Sequence, residues 1–146
     1  RNSEIPVLVI KKNIEDFKIE NIVFASNFKH DNRDSFQKIL NFTVLFNAKL
    51  HLLKINTIHN FETTKKSSEA IREFIDHFDL GNFTLNIYND VSIEQGILNF
   101  SKDIDADLIT LNTHGRRGLS HLFNGSITED LANHALLPVI TFKLKS

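Results

Sequence analysis

The chain has 146 residues, 41% of them hydrophobic and 24% charged, with a formal net charge of -1 and no cysteine. That suits one globular domain with its own core, and it excludes disulfides, thiolate metal sites and thiol nucleophiles. No apolar run approaches the roughly 18 residues of a membrane helix, no secretory leader is legible, and no like-charge block marks a nucleic-acid or membrane surface. A cytoplasmic protein with no nucleic-acid or membrane partner is expected. The sequence contains no methionine, so it reads as a piece of a longer protein.

The first segment, Ile5-Pro-Val-Leu-Val-Ile10, has the apolar, β-branched character of a short buried strand, and the polar stretch from Lys11 to Glu20 reads as a linker. A second strand is predicted at Ile22 to Ala25, then turn residues Asn27 to Asn32. Phe36, Ile39, Leu40, Thr43 and Val44 follow at helical spacing, with Asp34 as N-cap and Asn47 just past the end. Leu50 to Ile55 is the next strand, and the polar stretch Thr57 to Lys66 is expected to be a mobile loop. A second helix buries Ile71, Phe74, Ile75 and Phe78 and ends at Gly81. Phe83 to Tyr88 alternates like a strand with one wetter face. Ser92-Ile-Glu-Gln95 is a capping box opening a third helix that buries Ile93, Ile97 and Phe100. A strand at Asp107 to Leu111, a second capping box at Ser126-Ile-Thr-Glu129 with a fourth helix, and a strand at Pro138 to Phe142 complete the chain.

From Ile22 onward the order is βαβαβαβαβ, which implies parallel strands joined by right-handed crossovers. The expected fold is α/β, a doubly wound five-stranded parallel sheet with helices on both faces. Such folds bind ligands beyond the carboxyl ends of the strands, where the strand order reverses. With the order 3-2-1-4-5, that point lies between the first and fourth strands, near Asn27 and Asn112.

The segment Asn112-Thr-His-Gly-Arg-Arg-Gly-Leu-Ser-His-Leu-Phe-Asn-Gly-Ser126 lies between a strand and a helix start. Gly115, Gly118 and Gly125 let backbone approach a ligand. The helix N-terminus offers unpaired N–H groups and the positive end of the dipole, and Ser126 adds a hydroxyl. Together these make a phosphate cradle, with Arg116 and Arg117 as charges. Tight turning alone would also account for the glycines. The segment is neither a Walker loop nor a dinucleotide fingerprint.

Thr113-His-Gly-Arg-Arg-Gly-Leu-Ser-His-Leu, then Asn-Gly-Ser-Ile-Thr-Glu129, then Leu-Pro-Val-Ile140, resembles the C-terminal signature of universal stress proteins. Phe46-Asn-Ala-Lys-Leu-His-Leu-Leu53 is also similar to that family, and the likeness runs from about Ile19 to Lys145. Members that bind ATP carry Gly-x2-Gly-x9-Gly-Ser/Thr. Here the second glycine is Gly115, the spacer is Arg116 to Asn124, and the closing pair is Gly125-Ser126. Asn112 stands where the first glycine would be, and Asn27 where the family has an acid after its first strand. The resemblance implies binding of an adenine nucleotide, ATP with magnesium, in a regulatory role. Gly115, Gly118, Gly125 and Ser126 would hold phosphates, Arg117 and His114 would border them, and Asn27 and Asn112 would line the ribose and adenine side. No residue is placed for catalysis. Residues 1–18 would be the last strand of a preceding stress-protein domain plus a linker, with the domain itself at 19–146. Pairing, as a homodimer or with that second domain, would run through the last strand, with residues 5–10 added beside Val139 to Phe142. The alternative is a dimerisation or interaction half of a tandem protein that binds no nucleotide.

The seven histidines match no zinc spacing, so no metal is expected. His51 reads as a packing residue, Phe28 as core rather than a pocket wall, and Asp103, Asp105 and Asp107 as solvated turn residues rather than a calcium loop.

Overall fold

The computed structural model describes residues 6–9, 18–29, 33–112 and 138–142. In chain order they form β1 (Pro6–Val9), β2 (Asn21–Ala25), α1 (Arg33–Phe46), β3 (Lys49–Asn56), α2 (Thr64–Ile75), β4 (Phe83–Asn89), α3 (Ile93–Asp103), β5 (Leu108–Asn112) and β6 (Val139–Phe142). The predicted fourth helix and its capping box at Ser126 lie outside the described residues.

The six strands make one sheet in the order β1-β6-β5-β2-β3-β4. β2 is parallel to β3 on one side and to β5 on the other, and β4 and β6 extend the parallel array outward. Counted from β2, this is the expected five-stranded parallel sheet of order 3-2-1-4-5. β1 adds antiparallel to β6, with Pro6 opposite Phe142 and Val9 opposite Val139, as the edge-seeking character of an apolar strand requires.

Strand alternation sends side chains to two cores. Ile22, Phe24, Leu50, Leu52 and Leu108 face α1 and α2, where they meet Phe36, Ile39, Ile71 and Phe74. Val23, Ala25, Leu53, Ile109 and Leu111 face α3 and meet Ile93, Ile97 and Phe100. On the first face Phe24, Phe28, Phe36, Phe74 and Phe78 interlock with ring centroids 4.9–5.9 Å apart. Such aromatic pairs add about 0.5–1.5 kcal/mol each beyond their area. Phe28 is therefore core, as read from the sequence. β4 shows the predicted asymmetry: Phe83, Leu85 and Ile87 pack on the phenylalanine side, while Thr84 and Asn86 make hydrogen bonds on the other.

His51, in mid-β3, is buried. Its Nε2 lies 2.9 Å from Asn21 Oδ1 and its Nδ1 2.8 Å from Thr84 Oγ1. A carboxamide oxygen only accepts, so Nε2 donates and Nδ1 takes the threonine proton. Burial, and secondarily Lys49, hold its pKa below the usual histidine value, consistent with a neutral packing ring.

Four local expectations differ from the structure. Asp34 sits in the first turn of α1 rather than at its cap. α2 begins at Thr64, inside the stretch read as a loop, because Thr63 caps it by accepting from the Lys66 N–H at 3.1 Å. It ends at Ile75, and Gly81 serves instead as the left-handed turn (φ 71°) before β4. Asp107 is not a solvated turn residue: its Oδ2 accepts from the N–H groups of Glu20 and Asn21, both at 2.9 Å, fixing where β2 starts beside β5. Asn47, in contrast, takes the expected left-handed C-terminal position, with φ 52°.

Loss of the Asp107 carboxylate strands two N–H groups at the head of the central strand. Hydrogen bonds to a charged acceptor are each worth about 1.5–3 kcal/mol. Asp107→Ala is expected to lower unfolding stability by about 2–4 kcal/mol, with Asp107→Asn recovering part of it, as measured by urea denaturation.

Candidate functional site

β2 is short and entirely apolar after Asn21, so its carboxyl end delivers the chain abruptly to Ser26 and Asn27. Ser26 Oγ accepts from the Phe28 N–H at 2.7 Å, and Asn27 Oδ1 accepts from the Lys29 N–H at 2.9 Å. These two turns hold Phe28 in the left-handed region (φ 59°) with its ring in the core. They aim the next residue, Lys29, across the end of the sheet toward β3.

β3 runs three residues past Leu53, the partner of the last β2 residue Ala25, and that extension carries a buried lysine. Lys54 is only 5% exposed. Its Nζ donates to Asn56 Oδ1 at 3.1 Å and lies 3.5 Å from Glu62 Oε1. Glu62 also takes the Lys29 ammonium on Oε2 and the Ser67 hydroxyl on Oε1, the latter at 3.1 Å. The 57–62 loop between them is closed by the Asn60 N–H donating to the Thr57 carbonyl at 3.2 Å and by Asn56 Nδ2 donating to the Glu62 carbonyl at 3.1 Å. The stretch expected to be a mobile loop is thus a short hydrogen-bonded one leading into α2.

Between the β2–α1 and β3–α2 loops lies a cleft of about 310 Å³. Ala25, Ile55 and Ile93 give it an apolar floor, Asn27 and Asn60 polar walls, and Phe61 a rim. Lys29, Lys54 and Glu62 line one side. Its volume falls in the lower part of the range of small-ligand sites, about 300–1,000 Å³. Phe61 and, on nearby loops, Ile58 and Val91 are strongly exposed.

Of the residues singled out from sequence, the fold brings two to this edge. Asn27 lines the cleft. Asn112 is the last residue of β5, one step beyond the Ala25–Leu111 pair. The reversal of strand order therefore falls between their strands, as predicted. His114, Gly115, Arg117, Gly118, Gly125 and Ser126 lie outside the described residues. Sequence reading missed Lys29, Lys54, Glu62 and Ser67. The available signal was a lysine within Leu50-His-Leu-Leu-Lys-Ile55, a run otherwise suited to burial on both faces. Among the described residues no grouping of three or more histidines and carboxylates could hold a metal ion, and no helix is long and apolar enough to cross a membrane.

The charges at the cleft perturb one another. The hydrogen bond from Lys29, aided by Ser67 and Lys54, holds the Glu62 carboxyl below its ordinary value against the opposing effect of burial. Burial pushes the Lys54 ammonium down, with Glu62 pulling back. For Glu62 the folded value lies below the unfolded one, about 4.3. Its contribution is thus complete above that pH and is lost as pH falls through the folded value. Urea denaturation between pH 7 and pH 3 is expected to show a shallower acid limb in Glu62→Gln than in the unaltered protein.

The family model for the universal stress protein family matches residues 87–143. The universal stress protein Slr1230 of Synechocystis sp. is 27% identical over 150 residues, covering 94% of this chain and 47% of that protein. A universal stress protein from Archaeoglobus fulgidus has the same fold at a TM-score of 0.71 and 16% identity, covering 97% of this chain and 50% of the other. A universal stress protein solved in complex with cAMP superposes at a TM-score of 0.61 and 10% identity, covering 88% of this chain and 99% of that one. The chain thus spans about half the length of the first two proteins it matches. The chain is thus similar to the universal stress protein family over residues 87–143, and it shares its fold with the solved universal stress proteins.

Proposed function

We propose that this domain binds an adenine nucleotide across the carboxyl ends of β3, β2 and β5, and that the bound nucleotide regulates rather than reacts. The observation that carries this reading is the cleft beside Asn27, apolar on its floor and lying at the carboxyl ends of β2 and β3, next to the strand pair β2–β5 where the order reverses. Ala25, Ile55 and Ile93 suit the faces of a planar base, and Phe61 offers an exposed ring for stacking. The glycine-bearing segment after Asn112 leaves β5 two strands from Lys54, so phosphates would lie toward Gly115, Gly118, Gly125 and Ser126. His114 and Arg117 would border them. The cAMP complex of a protein with this fold supports the ligand class.

Calorimetric titration with ATP and magnesium tests it. Micromolar to sub-millimolar binding is expected, tightened about tenfold by Asn112→Gly, since each tenfold corresponds to about 1.4 kcal/mol. Gly125→Val should abolish it. Absence of heat in all three proteins at millimolar ATP would make this the interaction half of a longer protein.

Independently of ligand, we propose that residues 1–18 belong to a preceding stress-protein domain and its linker. The support is twofold: β1 occupies the outer edge of β6, and the chain covers 47% and 50% of two longer relatives. That edge is then unavailable to another subunit while β1 is seated. Deleting residues 1–17 is expected to expose β6 and convert a monomer to a dimer by light scattering, whereas an unchanged mass would count against pairing through the last strand.

A further inference from the structure

Glu62 is held as a bound anion would be. Its carboxylate receives two ammonium groups and a hydroxyl, from Lys29, Lys54 and Ser67, and it lies just before the N-terminus of the 12-residue α2, where the helix dipole favours negative charge. Ser67 is fully buried and Lys54 nearly so, so two of the three donors are fixed in place.

The carboxylate is not what closes its loop. The Asn56 side chain already holds the Glu62 backbone carbonyl, and Asn60 bonds twice to Thr57. Lys54 is likewise not consumed by structure. It has three N–H groups, of which Asn56 and Glu62 take two, and it lines an open cleft together with Lys29 and Glu62. Summed over these three side chains the charge is 2 - 1 = +1, so the cleft wall remains attractive to an anion even with Glu62 in place.

We propose that Lys29, Lys54 and Ser67 form an anion-binding subsite that Glu62 occupies in the unliganded protein, and that a phosphate group entering the cleft exchanges with the Glu62 carboxylate. The subsite is built of side chains from the β2–α1 turn, β3 and α2, uses none of the glycine-bearing residues after β5, and stands whether or not a nucleotide is the ligand. Exchange moves the Glu62 side chain out toward solvent while Asn56 keeps the loop anchored. The carboxylate thereby acts as a built-in competitor that sets the affinity threshold for the incoming anion.

Inorganic phosphate, AMP and adenosine are titrated into the unaltered protein, Glu62→Gln and Glu62→Gln/Lys54→Met. Removing the competitor while keeping its shape should raise phosphate affinity by about tenfold or more, and the added Lys54→Met should cancel the gain. A gain for AMP but not adenosine assigns the subsite to a nucleotide's phosphate. A gain for inorganic phosphate alone assigns it to the free anion, and would separate this inference from the nucleotide reading. No gain for either anion in a folded Glu62→Gln overturns the proposal. Should that variant lose its fold, the side-chain carboxyl carbon of Glu62, labelled with 13C in the unaltered protein, is followed during phosphate addition. A saturable shift supports exchange, and a resonance unmoved to the solubility limit overturns it.

Discussion

β2 is parallel to both of its neighbours, β3 and β5. A strand so placed must be apolar on both faces, since α1 and α2 cover one side and α3 the other; Ile22, Val23, Phe24 and Ala25 meet that demand. Parallel pairing on two sides also makes β2 the strand at which the order reverses, with β3 on one side and β5 on the other. In open α/β sheets ligands bind beyond the carboxyl ends of the strands at such a reversal. The Asp107 carboxylate, bonded to the two N–H groups that open β2, ties β5 to the head of that strand.

Above this scaffold the cleft combines two unlike surfaces. Its floor is continuous with the α3-side core through Ala25, Ile55 and Ile93. Close packing sets its shape: at Gly96 of α3 an added Cβ would fall 2.7 Å from Ile55 Cγ2, well inside contact distance. Helix and strand therefore approach as closely as glycine permits, and Ile55 is held where it faces the cleft. The wall is instead an ion cluster in which each charge offsets the desolvation of its neighbours. Lys54 would be costly alone on a buried strand; with Glu62 beside it and Lys29 beyond, it is retained where the end of β3 borders the cleft.

The two ends of the sheet behave differently. At the β6 end, β1 covers main-chain groups that a parallel array leaves unpaired. At the other end β4 has no outer neighbour among the described strands, but half its side chains are polar, and its Thr84 and Asn86 turn back to β3. A polar, inward-bonding edge is less adhesive than an apolar one.

Much of this was legible in the residues. Helical spacing of Phe36, Ile39 and Leu40, the Ser92 cap, the alternation of Phe83 to Tyr88 and the βα order define class and strand order, because backbone periodicity and crossover handedness are local rules. They also place Asn27 and Asn112 at the reversal. Three things needed the tertiary structure. The start of α2 at Thr64 depends on a cap by Thr63 within a stretch whose composition reads as loop. The role of Asp107 depends on N–H groups 86 and 87 residues away. The cluster of Lys29, Lys54, Glu62 and Ser67 joins four separate positions whose charges and hydroxyl carry no shared spacing. Sequence by itself determined which segments are strands and helices and how they stack, since those follow from periodicity within a few residues. Only the folded chain decided which polar groups meet across the cleft, since a buried lysine is stable just where distant segments bring its counter-charge.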